Sequence, residues 1–196
     1  MTTSGRIELM APAGNFESMQ AALDNGCDSI YFGVEQLNMR ARATVNFILD
    51  DLPEIARRCN EKNVRTYLTL NTIIYDHDLS IVKTLLTKAK EAGITAVIAS
   101  DQAVIMTART VGMEVHISTQ LNVTNIETVK FYAMFADTIV LSRELSLRQV
   151  KKITDDIEKE QVKGPSGNLV EIEIFGHGAL CMAVSGKCYL SLHSHN

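Results

Sequence analysis

Apolar and polar positions along the chain fall into two alternating rhythms. Short, β-branched runs at Ile7–Met10, Ser29–Phe32, Arg65–Leu70, Ala96–Ala99, Glu114–Ile117, Thr138–Leu141 and Val170–Phe175 read as strands. Between them lie amphipathic stretches at Phe16–Asn25, Leu52–Lys62, Ile81–Ala92, Gln102–Val111, Ile126–Phe135 and Leu147–Glu158. Their apolar residues recur three and four apart, as at Ile81, Leu85, Leu86 and Ala89, which predicts helices. Gly26, Gly93 and Gly112 follow three of these stretches, where a helix C-terminal cap calls for positive φ.

Strand and helix alternate throughout, so neighbouring strands need crossover connections and the sheet is expected to be parallel. Runs such as Val97-Ile98-Ala99 and Ile139-Val140-Leu141 are apolar on both faces, as helix-covered strands are. An open doubly wound sheet satisfies the same pattern. Polar residues at every strand-to-helix junction favour an α/β, TIM-like (β/α) barrel, incomplete at seven strands of eight. The expectation is one barrel domain over residues 1–196, the N-terminal part of a longer protein or a barrel closed by a neighbour. The Glu158–Asn168 stretch reads as a loop on the barrel floor and is given no chemistry.

Composition narrows the function classes. Hydrophobic residues make up 46% and charged residues 21%, a globular balance. The net charge of −4 gives no overall basic field, so RNA binding would need a local basic patch or a further segment. No apolar run reaches the ~18 residues of a membrane helix, and Met1–Arg6 is short and polar, so a cytoplasmic chain with no membrane partner is expected. Of the four cysteines, Cys27 and Cys59 read as small buried apolar residues, and a disulfide framework is not expected.

In such barrels the chemistry sits on the loops after the strands. Those junctions hold Arg40 and Arg42 after the second strand, Asn71 after the third, Asp101 after the fourth, Gln120 and Asn122 after the fifth, Arg143-Glu144 after the sixth and His177 after the seventh. Arg40 and Arg42 suit an anion, since guanidinium forks match carboxylate and phosphate; two solvated surface arginines are the competing reading. Arg143-Glu144 reads as an anion clamp beside an acid or base, or as an ion pair closing the junction. Asp101 is a catalytic candidate or only a helix N-cap. Glu144, Asp101 and His177 are the groups available for proton transfer.

His116 and Ser118 share a strand face, but no acid partner for the histidine is evident from the sequence. Neither a GxSxG elbow nor an HExxH helix occurs. His193 and His195 read as solvent-exposed. Near the end, Cys181 and Cys188 flank Gly186 on a glycine-rich segment, and two thiolates there suit a metal or cluster, although their spacing is wider than the CxxC of structural zinc.

This last segment carries a specific resemblance. Glu173, Phe175, Gly178-Ala179-Leu180-Cys181, Gly186, Cys188 and Ser191 match the signature of the peptidase U32 (collagenase-like) family. Further matches lie in Glu8–Asn15, Tyr31-Phe32-Gly33, Ser118-Thr119-Gln120 and Leu141–Leu145, so the resemblance spans nearly the whole chain. It implies a collagenase-like peptidase or, as in better-understood relatives, an oxygen-independent hydroxylase acting on tRNA, ribosomal RNA or a ubiquinone precursor. Asn38–Arg42 looks most like the RNA-modifying branch, which implies prephenate-dependent formation of 5-hydroxyuridine in tRNA. On that reading Cys181 and Cys188 are two ligands of a 4Fe-4S cluster whose other two cysteines lie downstream in the full-length protein, and prephenate is the co-substrate. A peptidase would instead call for a metal at His177, Cys181 and Cys188. A scaffold subunit in a homo- or hetero-oligomer is the third implication.

Overall fold

The computed structural model describes residues 7–34, 47–178 and 184–186. Among these described residues seven strands, β1 (Met10–Pro12), β2 (Ser29–Phe32), β3 (Arg65–Leu70), β4 (Ala96–Ala99), β5 (Glu114–Ile117), β6 (Thr138–Val140) and β7 (Glu171–Glu173), pair in chain order and all in parallel. The helices α1 (Phe16–Asp24), α2 (Leu52–Glu61), α3 (Leu79–Ala92), α4 (Gln102–Thr110), α5 (Ile126–Ala133) and α6 (Leu147–Glu160) make the crossovers. The result is an incomplete TIM-like barrel, curled so that side chains of alternate strands meet on its concave face. The ring centroids of Tyr67 on β3 and His116 on β5, for example, are 4.5 Å apart.

Local sequence sets the helix ends. Asn15 caps α1 by accepting from the Ser18 N–H at 2.8 Å, and Ser18 Oγ accepts in return from the Asn15 N–H at 3.1 Å. Ser146 caps α6 in the same reciprocal way with Gln149, and Asn125 caps α5 by accepting the Thr128 N–H. At the end of α3, Gly93 adopts φ 87°, a backbone that costs an L side chain roughly 1–2 kcal/mol.

Alternation along the strands separates two environments. Ile30, Phe32, Leu68, Leu70, Val97, Ile117, Ile139 and Leu141 face the helices and join one buried cluster with Met19, Ile55, Leu86, Val104 and Val129. Each such residue contributes roughly 1.5–3 kcal/mol through burial, so this outer layer holds the fold together. On the concave face, among the described residues, Tyr67, Ala96 and Ile98 form a small apolar cluster, with Met10 and Tyr31 against it. Around it stand Glu8, Arg65, Glu114, His116 and Glu173.

Three strands depart from the pattern-based boundaries, the sixth only in ending at Val140 rather than Leu141. The first begins at Met10 rather than Ile7, because the Asp28 carboxylate accepts the Leu9 N–H at 2.9 Å in place of a ladder partner, and Ile7 stands 91% exposed. The seventh is shorter than Val170–Phe175. Val170 N–H is drawn down to the Val162 carbonyl at 3.0 Å, and Ile174 and Phe175 leave the sheet half-exposed. Among the described residues no helix is long and apolar enough to cross a membrane.

Candidate functional site at the carboxyl rim

The site begins where β5 ends. Ser118 turns the chain into a one-turn helix, Thr119–Leu121, by accepting the Gln120 N–H on its Oγ at 3.3 Å. Asn122 then takes a left-handed conformation, φ 52°, which asparagine tolerates better than most residues. That conformation lets its Oδ1 accept from Ser142 Oγ at 2.6 Å, and the Ser142 N–H reaches the Val123 carbonyl at 3.0 Å. The junctions after β5 and β6 are thereby joined.

The Val184–Gly186 turn closes over this pair. Ser185, 1% exposed, accepts the Arg143 N–H on its Oγ at 3.3 Å, and its own N–H donates to Glu144 Oε1 at 2.6 Å. That backbone hydrogen bond, more than any other contact, holds the Glu144 carboxyl below the usual range, so at neutral pH it is an ionised acceptor. Gly186 has φ 74°, and a Cβ there would overlap the Gln120 carbonyl oxygen. The Arg143 guanidinium carbon lies 5.8 Å from the centre of the half-exposed Phe175 ring, within cation–π range, with Arg143 itself exposed to solvent. The rim thus presents a cation on an aromatic platform beside amide and hydroxyl groups.

Of the residues singled out in the sequence, Gln120, Asn122, Arg143 and Glu144 are brought together here. Asn71 follows β3 at the same end of the sheet. Asp101 is spent on structure: Oδ1 caps α4 through the Ala103 N–H at 2.8 Å, and Oδ2 accepts the Ile74 N–H at 3.3 Å. His177 is exposed beyond the end of β7. Arg40, Arg42, Cys181, Cys188, His193 and His195 lie outside the described residues.

The sequence reading missed two groups. Ser185 lay unremarked between the two cysteines, although its place beside Gly186 was a signal. His116 does have acid partners: Glu114 Oε1 lies 3.2 Å from its Nε2, and Glu173 Oε2 lies 3.8 Å from its Nδ1. Glu114 was legible two residues away on the same face, whereas Glu173 required the fold. Cys27 and Cys59 are buried free thiols. Burial raises both, Cys59 to about 11, so both are protonated thiols at neutral pH.

Comparison with known proteins now bears on this rim. The model of peptidase family U32 matches residues 14–196. The chain belongs to that family. It is 54% identical to a collagenase of Porphyromonas gingivalis over 190 residues, which cover 97% of this chain and 46% of that protein. It is 31% identical to the tRNA hydroxylation protein P1 of Bacillus subtilis, covering 95% of this chain and 42% of the relative. The chain therefore spans under half the length of these relatives. Among solved structures, the U32 peptidase Mk0906 superposes with a TM-score of 0.64 over 89% of this chain and 70% of its own, at 14% identity, a likeness of fold. In this U32 chain, the matched region includes the whole rim and the Ser185–Gly186 turn.

Proposed function

We propose that this U32 chain is the barrel portion of an RNA-modifying hydroxylase whose substrate enters at the carboxyl rim. One observation carries the reading: the described rim is equipped to bind, and its Ser118 and Ser142 hydroxyls are not equipped to attack. Ser142 Oγ donates to Asn122, and Ser118 Oγ caps a helical turn, so among the described residues no histidine or carboxylate is positioned to deprotonate either. Arg143 on Phe175 suits an anionic or planar group, and Gln120 and Asn122 add hydrogen-bonding edges nearby. Relatives named for tRNA hydroxylation in Bacillus subtilis and Escherichia coli, and for 23S rRNA 5-hydroxycytidine synthesis in Escherichia coli, are consistent with this use.

The finer reading is prephenate-dependent 5-hydroxyuridine formation in tRNA, with Arg40, Arg42 and Arg143 taking the co-substrate's carboxylates. Cys181 and Cys188 would hold a 4Fe-4S cluster together with ligands from further along the polypeptide. A fit to such a group is favoured by Gly186, two residues before Cys188, whose lack of a side chain lets the backbone press onto the Gln120 carbonyl. Bound there, the cluster would supply one-electron chemistry. The chain's own residues would orient the substrate, with Glu144 keeping the turn in place.

The 54% identity to a protein named collagenase favours a second reading, proteolysis. The two separate cleanly. Deleting the gene and digesting bulk tRNA for nucleoside mass spectrometry should show loss of 5-hydroxyuridine-derived nucleosides. Unchanged nucleosides with lost gelatin cleavage would replace the hydroxylase reading by the peptidase one.

A further inference from the structure

The concave face holds a cluster that the rim does not use. Barrel interiors are built in layers from alternate strands, dominated by branched apolar side chains. In this chain the layer drawn from β3, β5 and β7 is Tyr67, His116 and Glu173. His116 is 3% exposed, its ring tilted 48° against Tyr67. Its Nε2 meets Glu114 at 3.2 Å, while its Nδ1 and Glu173 Oε2 face each other at 3.8 Å, both buried and neither with a hydrogen-bond partner. An orphaned buried pair of this kind calls for an explanation.

The remaining neighbours leave the imidazole to the two glutamates. The Tyr67 hydroxyl donates to Glu8 at 2.8 Å, and Glu8 is ion-paired with Arg65. The register partners of His116 on β4 and β6 are Ile98 and Thr138, which do not ionise, and Glu171 on β7 is exposed. We propose that His116 is a positioning residue: an imidazolium clasped between Glu114 and Glu173, it ties β7 to β5 across β6 and fixes where the chain leaves β7 for the rim. Two residues beyond Glu173 stands Phe175, the platform under Arg143. The inference rests on the reading of that rim as the substrate site.

Burial alone opposes the imidazolium, but the Glu114 hydrogen bond and the Glu173 carboxylate outweigh it and hold the ring above the ordinary histidine range. The sign follows. The clasp is fully formed below the unfolded-state histidine pKa and is lost as pH rises through the raised folded value.

Nitrogen-15 NMR of the imidazole in the full chain tests this without any substrate, so its outcome is separate from that of the hydroxylase reading. Both ring nitrogens of His116 should be protonated at pH 7, and Glu173→Gln should lower its titration midpoint. In His116→Gln the thermal midpoint should lose the pH dependence that the parent shows above about pH 6.5. Amide exchange at Leu141, whose N–H donates to the Glu173 carbonyl at 3.0 Å, should accelerate about tenfold in both variants. A neutral His116 at pH 7, or unchanged exchange at Leu141, overturns the proposal. Should His116→Gln fail to fold, Glu173→Gln, at a partly exposed position, decides it on the same two readouts.

Discussion

Gly186→Ala tests whether the Val184–Gly186 turn is docked as described. Alanine at φ 74° costs roughly 1–2 kcal/mol, and its methyl would also meet the Gln120 carbonyl. Opposing this is the Ser185 N–H bond to the Glu144 carboxylate, 2.6 Å long, a charge-assisted contact contributing about 1.5–3 kcal/mol. Strain and anchor are comparable, so the turn should let go locally before the barrel unfolds. Gly112→Ala is the matched control, since its φ is 72° with nothing within 4 Å of the added methyl. Measured by NMR, Ser185 amide exchange should accelerate about 5–30-fold in Gly186→Ala, the factor that 1–2 kcal/mol corresponds to. Urea unfolding should be nearly unchanged. Gly112→Ala should do the reverse, lowering the unfolding free energy by about 1–2 kcal/mol and leaving Ser185 alone. Unchanged Ser185 exchange in Gly186→Ala would refute the docking.

Three further outcomes follow from contacts elsewhere. Glu144 has a depressed folded pKa, so its hold on the turn is present above the unfolded carboxylate value and weakens as pH falls through the folded one; Ser185 exchange should show that acid dependence, and Glu144→Gln should abolish it. Cys59→Ser places a hydroxyl at a position 0% exposed and should cost about 1–3 kcal/mol in chemical denaturation, while the native thiol should label only as fast as the protein opens. Asp101→Asn keeps the helix cap, so nucleoside formation by the full-length protein should persist, whereas Asp101→Ala should cost about 1 kcal/mol of stability.

The helical and strand patterns were legible because each strand faces helices on one side and is flanked by turn residues with clear signals. Errors fell at the ends, where side chains replace backbone partners, as Asp28 does for Leu9. Gln120, Asn122, Arg143 and Glu144 could be gathered because parallel topology sends every such junction to one end of the barrel. The contacts of Ser185 with Arg143 and of Glu173 with His116 were not legible. The first joins residues 42 positions apart through a turn without periodicity, and the second depends on the sheet's curvature. The partner of His116 two residues away, Glu114, was readable and was overlooked.

Strictly sequential strand order has a bearing on how the chain is made. Every pairing from β1·β2 to β6·β7 joins neighbours separated by one crossover, so each new β–α unit can add to a finished edge as it emerges from the ribosome. Growth is directional, and β7, which leads to the rim turn, is laid down onto six strands already in place. A lesion in an early unit therefore deprives all later ones of their template, whereas one in β7 spares the preceding layers and withholds only the surface on which the rim is assembled.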